Sequence, residues 1–428
     1  MIFCWNTKNA YFLLVGSPCF ILFSKRYKQL LDIIHTMNEE NIKEPDGEPP
    51  IENWDDLNLK EDILRGIYSY GYEKPSDIQK KSIPNIIKKR DTIAQAQSGM
   101  GKTASFSIST LQIIDVDSPT TQAVLISPTH ELAKQTCNVV SNLGNMMKGL
   151  RIKTLIGGTS IYDDYREIQA NPPHIIVGCA GRIHDMFRRR YLSGENIQIM
   201  VLDEADELLS QGFKTQIYNI FQYFRDTIQV AIFSATFTDE VLDLTDKFMR
   251  NPVRIIMKAE ELSLECIQQY YIAVGTDHVK YEVLKDLFSM ISISQSIIYC
   301  NSVKRVADLH EAMVRDGYSV CGIHGSMDKT EREREFALFR NGTYRVMISS
   351  NITARGIDIQ HVSTVINFDI PKCVHTYLHR IGRSGRWGRK GMAINFVTKR
   401  DIYLMRDIEN HYKIKIDELP SAYADTIA

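Results

Sequence analysis

The sequence holds no C-x-x-C pair; its eight cysteines (Cys4, Cys19, Cys137, Cys179, Cys266, Cys300, Cys321 and Cys373) are scattered. That spacing argues against a zinc site and a disulfide framework, and it fits a reducing compartment. There is no excess of charge of either sign, since 51 Lys and Arg face 52 Asp and Glu for a net charge of −1. A nucleic-acid contact would therefore rest on local basic patches and not on a basic body. Short repeats are missing, and so are membrane-length apolar runs. The apolar stretch 10–23 contains Gly16 and Pro18 and falls short of the roughly 20 residues a spanning helix needs. It has only Lys8 ahead of it and no A-x-A cleavage pattern. No stable membrane association is expected. Residues 1–36 read as an extra apolar segment, with synthesis expected to begin at Met37, and residues 37–51 as a disordered acidic tail.

At 428 residues, 44% hydrophobic and 24% charged, the chain is too long for one ordinary core and fits two α/β domains. Short apolar runs alternate with helical patterns. One series falls at 92–97, 123–128, 174–179, 199–204 and 230–236, and a second at 296–301, 320–325, 345–351, 364–369 and 393–398. Nearly continuous apolar strands between helices predict parallel sheets covered on both faces. Between the series lie Arg250-Asn251-Pro252 and the charged Lys258-Ala259-Glu260-Glu261. The expected division is one domain at 52–252, a linker at 253–268 and a second domain at 269–428.

Ala96-Gln97-Ser98-Gly99-Met100-Gly101-Lys102-Thr103 follows a strand and precedes a helical stretch, the context a phosphate loop needs. Gly99 and Gly101 would let backbone N–H groups approach phosphates at a helix N-terminus. Lys102 would reach the β/γ-phosphates of ATP, and Thr103 would ligate Mg²⁺. Ala96 stands where the general pattern has glycine. About 100 residues on, Ile199-Met200-Val201-Leu202 ends in Asp203-Glu204-Ala205-Asp206. Carboxylates at a strand's carboxyl end face the crevice where α/β proteins bind ligands. Asp203 suits the metal and Glu204 the attacking water. A lone Asp-Glu pair is commonly just a helix start, but that reading weakens once a Lys-Thr loop precedes it.

Asp203 to Asp206 spell D-E-A-D, and from about residue 52 onward the chain resembles the DEAD-box RNA helicases. Further motifs occur in order: Tyr70-Gly71-Tyr72-Glu73-Lys74-Pro75-Ser76-Asp77-Ile78-Gln79, Ser234-Ala235-Thr236, Ala354-Arg355-Gly356-Ile357-Asp358 and His379-Arg380-Ile381-Gly382-Arg383-Ser384-Gly385-Arg386. The resemblance implies two tandem RecA-like domains. It makes Gln79 the reader of adenine and Trp54 the ring stacked on the base, and it puts Asp358 on the ribose and γ-phosphate side. A glutamine amide can donate and accept on the adenine edge, which supports the first role. The resemblance also makes Arg383 and Arg386 the fingers that stabilise the transferring phosphoryl group. Asp206, Ser234, Thr236 and His379 become the set coupling hydrolysis to strand separation. RNA would lie across both domains on Pro128, Thr129, Gly158, Gly181, Arg182 and Ser350, gripped by its backbone with little base reading.

Departures from the family pattern fall mostly on the RNA side. His130 stands for arginine, Cys179-Ala180-Gly181-Arg182 for threonine-proline-glycine-arginine, Ser350-Asn351 for threonine-aspartate, and Lys329 for glutamine. A weaker, more salt-sensitive grip on RNA follows as an expectation, with Arg188-Arg189-Arg190 available to compensate. The expected activity is RNA-dependent ATP hydrolysis with local duplex unwinding in translation initiation, on a scaffold protein of the initiation-factor type. The alternative is an ATP-locked clamp in an exon-junction, splicing or rRNA-processing assembly. A DNA helicase is disfavoured by the Gln79 motif. A cytoplasmic monomer is expected, with the nucleus as the other compartment.

Overall fold

The computed structural model describes residues 50–97, 99–209, 212–237, 239–245, 248–256, 267–290, 294–351, 362–384 and 390–420. Within them the apolar runs fold as strands of two parallel sheets. The first holds β1 (Thr92–Gln95), β2 (Ala123–Ile126), β3 (Ile152–Leu155), β4 (Ile175–Gly178), β5 (Ile199–Asp203), β6 (Gln229–Ser234) and β7 (Val253–Ile256), in the order β3-β4-β2-β5-β6-β1-β7. The second holds β8 (Ile267–Ala273), β9 (Ser296–Tyr299), β10 (Val320–Ile323), β11 (Val346–Ser349), β12 (Thr364–Asn367), β13 (Gly391–Val397) and β14 (Asp417–Glu418), in the order β10-β11-β9-β12-β13-β8-β14. Counted from its own first strand, each sheet reads 3-4-2-5-6-1-7, so the two series are two copies of one architecture.

Burial on both faces explains why the inner strands are apolar throughout. Along β5, Ile199 and Val201 enter one core cluster while Met200 and Leu202 enter the other. In the second sheet Ile297 and Val365 face one cluster, and Ile298 and Ile366 the opposite one.

The expected linker at 253–268 is too long at both ends. Val253 to Ile256 extend the first sheet, from Thr92↔Val253 to Gln95↔Ile256, and Ile267 and Gln268 already pair with β13. Residues 257–266 lie outside the described set, as do the apolar segment 1–36 and the acidic tail except Pro50 and Ile51.

The helices that carry the site are α1 (Asp77–Ile87), α2 (Lys102–Ile113), α3 (His130–Leu143), α4 (Ile161–Ala170), α5 (Ala180–Arg188), the short α6 (Ala205–Leu208), α7 (Lys329–Arg340) and α8 (Val374–Ile381). All of α2 to α6 start just past the carboxyl end of a strand. The first sheet's ligand-facing edge is thus formed by the chain leaving β1, β2, β3, β4 and β5.

Candidate functional site

The phosphate loop leaves β1 with the Ala96 N–H bonded to the Ser234 carbonyl at 3.1 Å, which ties it to the end of β6. Gly99 and Gly101 both hold φ near +90° (91° and 93°), where a side chain would be strained. A Cβ on Gly101 would also fall 2.5 Å from Gln79 Nε2. Gly101 then caps α2, so Lys102 opens the helix with its ammonium almost wholly buried. Lys102 Nζ lies 3.6 Å from Glu204 Oε1. Among the described residues Lys102 Nζ, Glu204 Oε2 and Gln97 Nε2 are buried without a hydrogen-bond partner. Leaving such atoms unpaired is costly. The two donors, Lys102 Nζ at the head of α2 and Gln97 Nε2 in the loop before it, fit an anionic ligand such as a triphosphate, whereas the acceptor Glu204 Oε2 fits a donor such as water.

Asp203 ends β5 with Oδ1 accepting from the Glu204 N–H at 3.0 Å. Glu204 turns the chain in the left-handed region (φ 50°, ψ 55°), an unfavourable conformation for a glutamate, and so aims its carboxylate back at Lys102. Burial, with the Glu204 charge beside it, pushes the Asp203 carboxyl up to about 7. Burial also pushes Glu204 up, but Lys102, His379 and Arg383 outweigh it and hold Glu204 below the ordinary glutamate value. Asp203 is therefore starved of positive charge where Glu204 is not. A divalent cation at Asp203 would correct that, and Thr103, half-exposed in the first turn of α2, offers a hydroxyl at the end of the phosphate loop. No group of three metal-ligating side chains occurs among the described residues. Mg²⁺ held by one carboxylate, one hydroxyl, water and phosphates needs none.

Asp206 joins the two domains. Its Oδ1 accepts from Ser234 Oγ at 2.8 Å, and its Oδ2 from Thr236 Oγ1 at 2.9 Å. His379 Nε2, on α8 of the second domain, lies 3.2 Å from the same Oδ2. The four residues assigned to coupling are thus brought to one carboxylate. Arg383 follows one turn later, buried, with Nε donating to the His379 carbonyl at 3.2 Å, and its charge reaches Glu204. Ser98, Asp358 and Arg386 lie outside the described residues.

Arg380 was not singled out from the sequence, yet it pins α8. It is fully buried. Its Nε and Nη2 donate to Asn351 Oδ1 at 2.9 and 2.6 Å, Nη2 to Asn301 Oδ1 at 2.8 Å, and Nη1 to Asn367 Oδ1 at 3.2 Å and the Asp369 carbonyl at 2.8 Å. The guanidinium also lies 5.1 Å over the Tyr299 ring. These contacts gather the carboxyl ends of β9, β11 and β12 under the helix that presents His379 and Arg383.

On the adenine side the structure changes one assignment. Trp54 is 0% exposed and packed in the first-domain core, so its ring has no open face for a base. The part-exposed ring beside it is Tyr72, 6.4 Å away. Gln79 is held firmly: Oε1 accepts from the Ser76 N–H at 2.7 Å, and Nε2 donates to the Gly101 carbonyl at 3.2 Å. One amide hydrogen and one lone pair remain for a base, and Gln79 couples α1 to the phosphate loop directly.

Of the residues expected to meet RNA, those of the first domain gather at the carboxyl ends of β2, β3 and β4. Pro128 is buried, and Thr129 caps α3 by accepting from the Leu132 N–H at 3.2 Å. His130 Nε2 accepts from the Gly157 N–H at 3.2 Å, so this substitution braces the loop that ends in Gly158. Arg182 departs from expectation. Its Nη1 meets Asp164 Oδ2 at 2.5 Å and Thr159 Oγ1 at 3.0 Å, and Nη2 meets the Thr159 carbonyl at 2.6 Å. The buried Asp164 turns this guanidinium inward, so Arg182 shapes the 157–159 loop. Cys179 caps α5 without a side-chain hydrogen bond to the helix, and Gly181, the second residue of the helix, is exposed. Ser350 leaves β11 with its N–H on the Ile323 carbonyl at 3.3 Å. Two ion pairs that the sequence did not announce also cross between the domains, Lys134–Glu333 at 2.7 Å and Glu131–Arg332 at 3.1 Å.

The DEAD/DEAH box helicase family matches residues 76–244, and the helicase conserved C-terminal domain matches residues 279–388. Eukaryotic initiation factor 4A of Caenorhabditis elegans is 46% identical over 404 residues, 93% of this chain and 100% of that protein. The ATP-dependent RNA helicase fal1 of Schizosaccharomyces pombe is 49% identical over 377 residues, 88% of this chain and 95% of that protein. Among solved structures, S. cerevisiae Dbp5 bound to RNA and ADP BeF3 matches with a TM-score of 0.81 at 33% identity, over 87% of this chain and 97% of that one. With the glycine loop and the buried carboxylates inside the first matched range, and 46% identity over 93% of the chain, the chain belongs to the DEAD/DEAH box helicase family.

Proposed function

We propose that this protein is an RNA-stimulated ATPase that unwinds short RNA duplexes locally, and that it serves translation initiation on a scaffold protein. The observation that carries the enzymatic part is the sharing of Asp206 between Ser234 and Thr236 of one domain and His379 of the other. ATP with Mg²⁺ supplies the transferable phosphoryl group and neutralises its charge. Lys102 and the backbone of the phosphate loop would hold the phosphates, and Asp203 and Thr103 would hold the cation. Glu204, kept ionised by Lys102, His379 and Arg383, accepts a proton from the attacking water. Arg383 brings positive charge from the second domain, so hydrolysis requires that domain to be docked. Losing the docked state separates Arg383 and His379 from Glu204 and Asp206, which links turnover to release of RNA.

The place in translation initiation is supported by likeness along nearly the whole chain to initiation factor 4A of Caenorhabditis elegans. RNA as the ligand is supported by the likeness to Dbp5 bound to RNA.

The test measures ATP hydrolysis with RNA, with DNA of the same sequence and with neither, alongside displacement of a short RNA strand. RNA-specific stimulation with displacement is the expected result. Stimulation without displacement, or RNA that stays bound after hydrolysis, would instead support a clamp. Capture of initiation-factor scaffolds from translating extract tests the role in initiation.

A further inference from the structure

Tyr162, Tyr165 and Tyr191 form a row on the first domain that none of the site chemistry uses. Tyr191 and Tyr165 are stacked, with centroids 4.1 Å apart and planes at 28°. Tyr162 extends the row, 6.3 Å from Tyr165 and tilted by 44°. The inner end is fixed: Tyr191 packs against the apolar cluster that takes Met200 and Leu202, and its N–H bonds to the Met186 carbonyl at 2.9 Å. The outer end is open, for Tyr162 is 60% exposed.

The row begins where the RNA-side loop ends. Gly158, at φ 83°, leads into Thr159, which Arg182 holds by both its hydroxyl and its carbonyl. Ser160 then caps α4, accepting from the Asp163 N–H at 3.2 Å, and Tyr162 stands in that first turn. The charges around the row are mixed. Arg166 and Arg190 are exposed beside Tyr165 and Tyr191, while Asp163 and Glu167 are exposed on α4, Glu167 in an ion pair with Lys153. Such a surface is a poor phosphate trap. An exposed ring on a rigid aromatic backing is instead what a nucleobase face recognises, whatever its identity.

We infer that Tyr162, backed by Tyr165 and Tyr191, is a stacking step for one unpaired base of an RNA strand that runs past the Gly158 turn and out of the cleft. The inference rests on the RNA reading above and adds to it a contact through a base, outside the backbone grip. It lengthens the RNA footprint on the first domain and favours strands with an unpaired extension over blunt ones.

The test compares wild type, Tyr162→Phe and Tyr162→Ala, each with a non-hydrolysable ATP analogue. The probes are a short single strand confined to the cleft and a longer one extended at both ends. Base–aromatic stacking is worth about 1–3 kcal/mol per base, so Tyr162→Ala should bind the long strand about 5-fold or more weakly. It should bind the short strand as wild type does. Tyr162→Phe should keep wild-type affinity for both. The salt dependence should be the same in all three, because no phosphate contact is lost. An abasic site scanned along the extension should weaken wild type at one position and leave Tyr162→Ala unchanged there. Equal affinity of wild type and Tyr162→Ala for the long strand overturns the stacking step while leaving RNA binding in place. A wild type that binds neither strand overturns the RNA reading itself.

Discussion

Arg380 offers the sharpest quantitative test of how the second domain holds His379 and Arg383. Its guanidinium is fully buried, and burial pushes its pKa from the ordinary arginine value down to about 10. Arginine nevertheless stays charged in proteins, so that downward push measures how unfavourable the burial is. All five of its hydrogen bonds end on neutral oxygens: three asparagine side chains and one backbone carbonyl. The nearest carboxylate, Asp369, is already engaged by Lys280 at 3.1 Å and Arg305 at 3.0 Å. Replacing Asn351 by aspartate would put a carboxylate where Arg380 now finds an amide oxygen at 2.6 and 2.9 Å. A hydrogen bond gains roughly 1 kcal/mol when it becomes fully charge-assisted. The bare Coulomb attraction would be about 5 kcal/mol at an effective dielectric of 20. Desolvating the new carboxylate removes part of that, but only part, because residue 351 is exposed. The expected net gain is about 1–2 kcal/mol, or a rise of about 2–8 °C in the melting temperature of a domain this size. Thermal and urea unfolding of the full chain measure it, with Arg380→Ala as the opposite control, at a loss of about 1–3 kcal/mol for each buried oxygen it leaves unpaired. An Asn351→Asp protein no more stable than wild type would refute the view that Arg380 is under-compensated. If α8 is then held more rigidly, RNA-stimulated turnover should change while ATP affinity in the absence of RNA does not.

Three further outcomes are expected. Trp54→Ala should cost about 3–5 kcal/mol of stability, measured by urea unfolding, because it empties a fully buried core site; a protein that keeps its stability but loses ATP affinity would restore the base-stacking role. His379→Ala should lower RNA-stimulated turnover at least about ten-fold with nucleotide affinity unchanged, since a hydrogen bond to a charged group is worth about 1.5–3 kcal/mol; steady-state ATPase assays and nucleotide titrations separate the two. Burial pushes Asp277 up, but Arg305 and Lys280 outweigh it and hold its carboxyl below the ordinary value of 3.8. Its stabilising contribution is therefore full above that value and lost as the pH falls through the lower folded one. The stability gap between wild type and Asp277→Asn should narrow over that acid range.

How much of this was legible in the sequence follows from where each strand lies. The inner strands are buried on both faces, so their residues are apolar without interruption and their positions can be read directly. β3, β7, β8 and β14 were not read, and all four lie at or beside a sheet edge. Ile152-Lys153-Thr154-Leu155 is half-exposed along most of its length, and Ile267-Gln268-Gln269-Tyr270-Tyr271-Ile272-Ala273 is mixed. With one side wet, neither run needs to be apolar. Because β7 and β8 carry no unbroken apolar run, the expected linker extends over residues that form them. The expected strands overran the observed ones mostly at their carboxyl ends, at Gln97, Pro128, Cys179, Glu204, Thr236 and Ser350. The overrun residues are the site itself, where the chain leaves the sheet and turns toward ligand.

What the sequence could not convey is the direction a polar side chain takes. On the sequence Arg182 reads as a retained cation that meets RNA, and His130 as a cation lost from the RNA side. In the fold both brace the Gly157-Gly158-Thr159 turn from behind, Arg182 because the buried Asp164 draws it inward and His130 because it accepts the Gly157 N–H. The substitution at 130 is then no simple loss of grip. His130→Arg would remove an acceptor from a glycine N–H and press a longer side chain against a position where even a Cβ on Gly157 would lie 3.2 Å from the imidazole. Restoring the family's arginine there should therefore loosen the turn, and RNA affinity should rise only if Cys179→Thr restores the hydroxyl at the head of α5 as well. Titrations of the two single variants and the double variant decide it. A His130→Arg single variant that binds RNA more tightly than wild type would show that charge at this position outweighs the geometry of the turn.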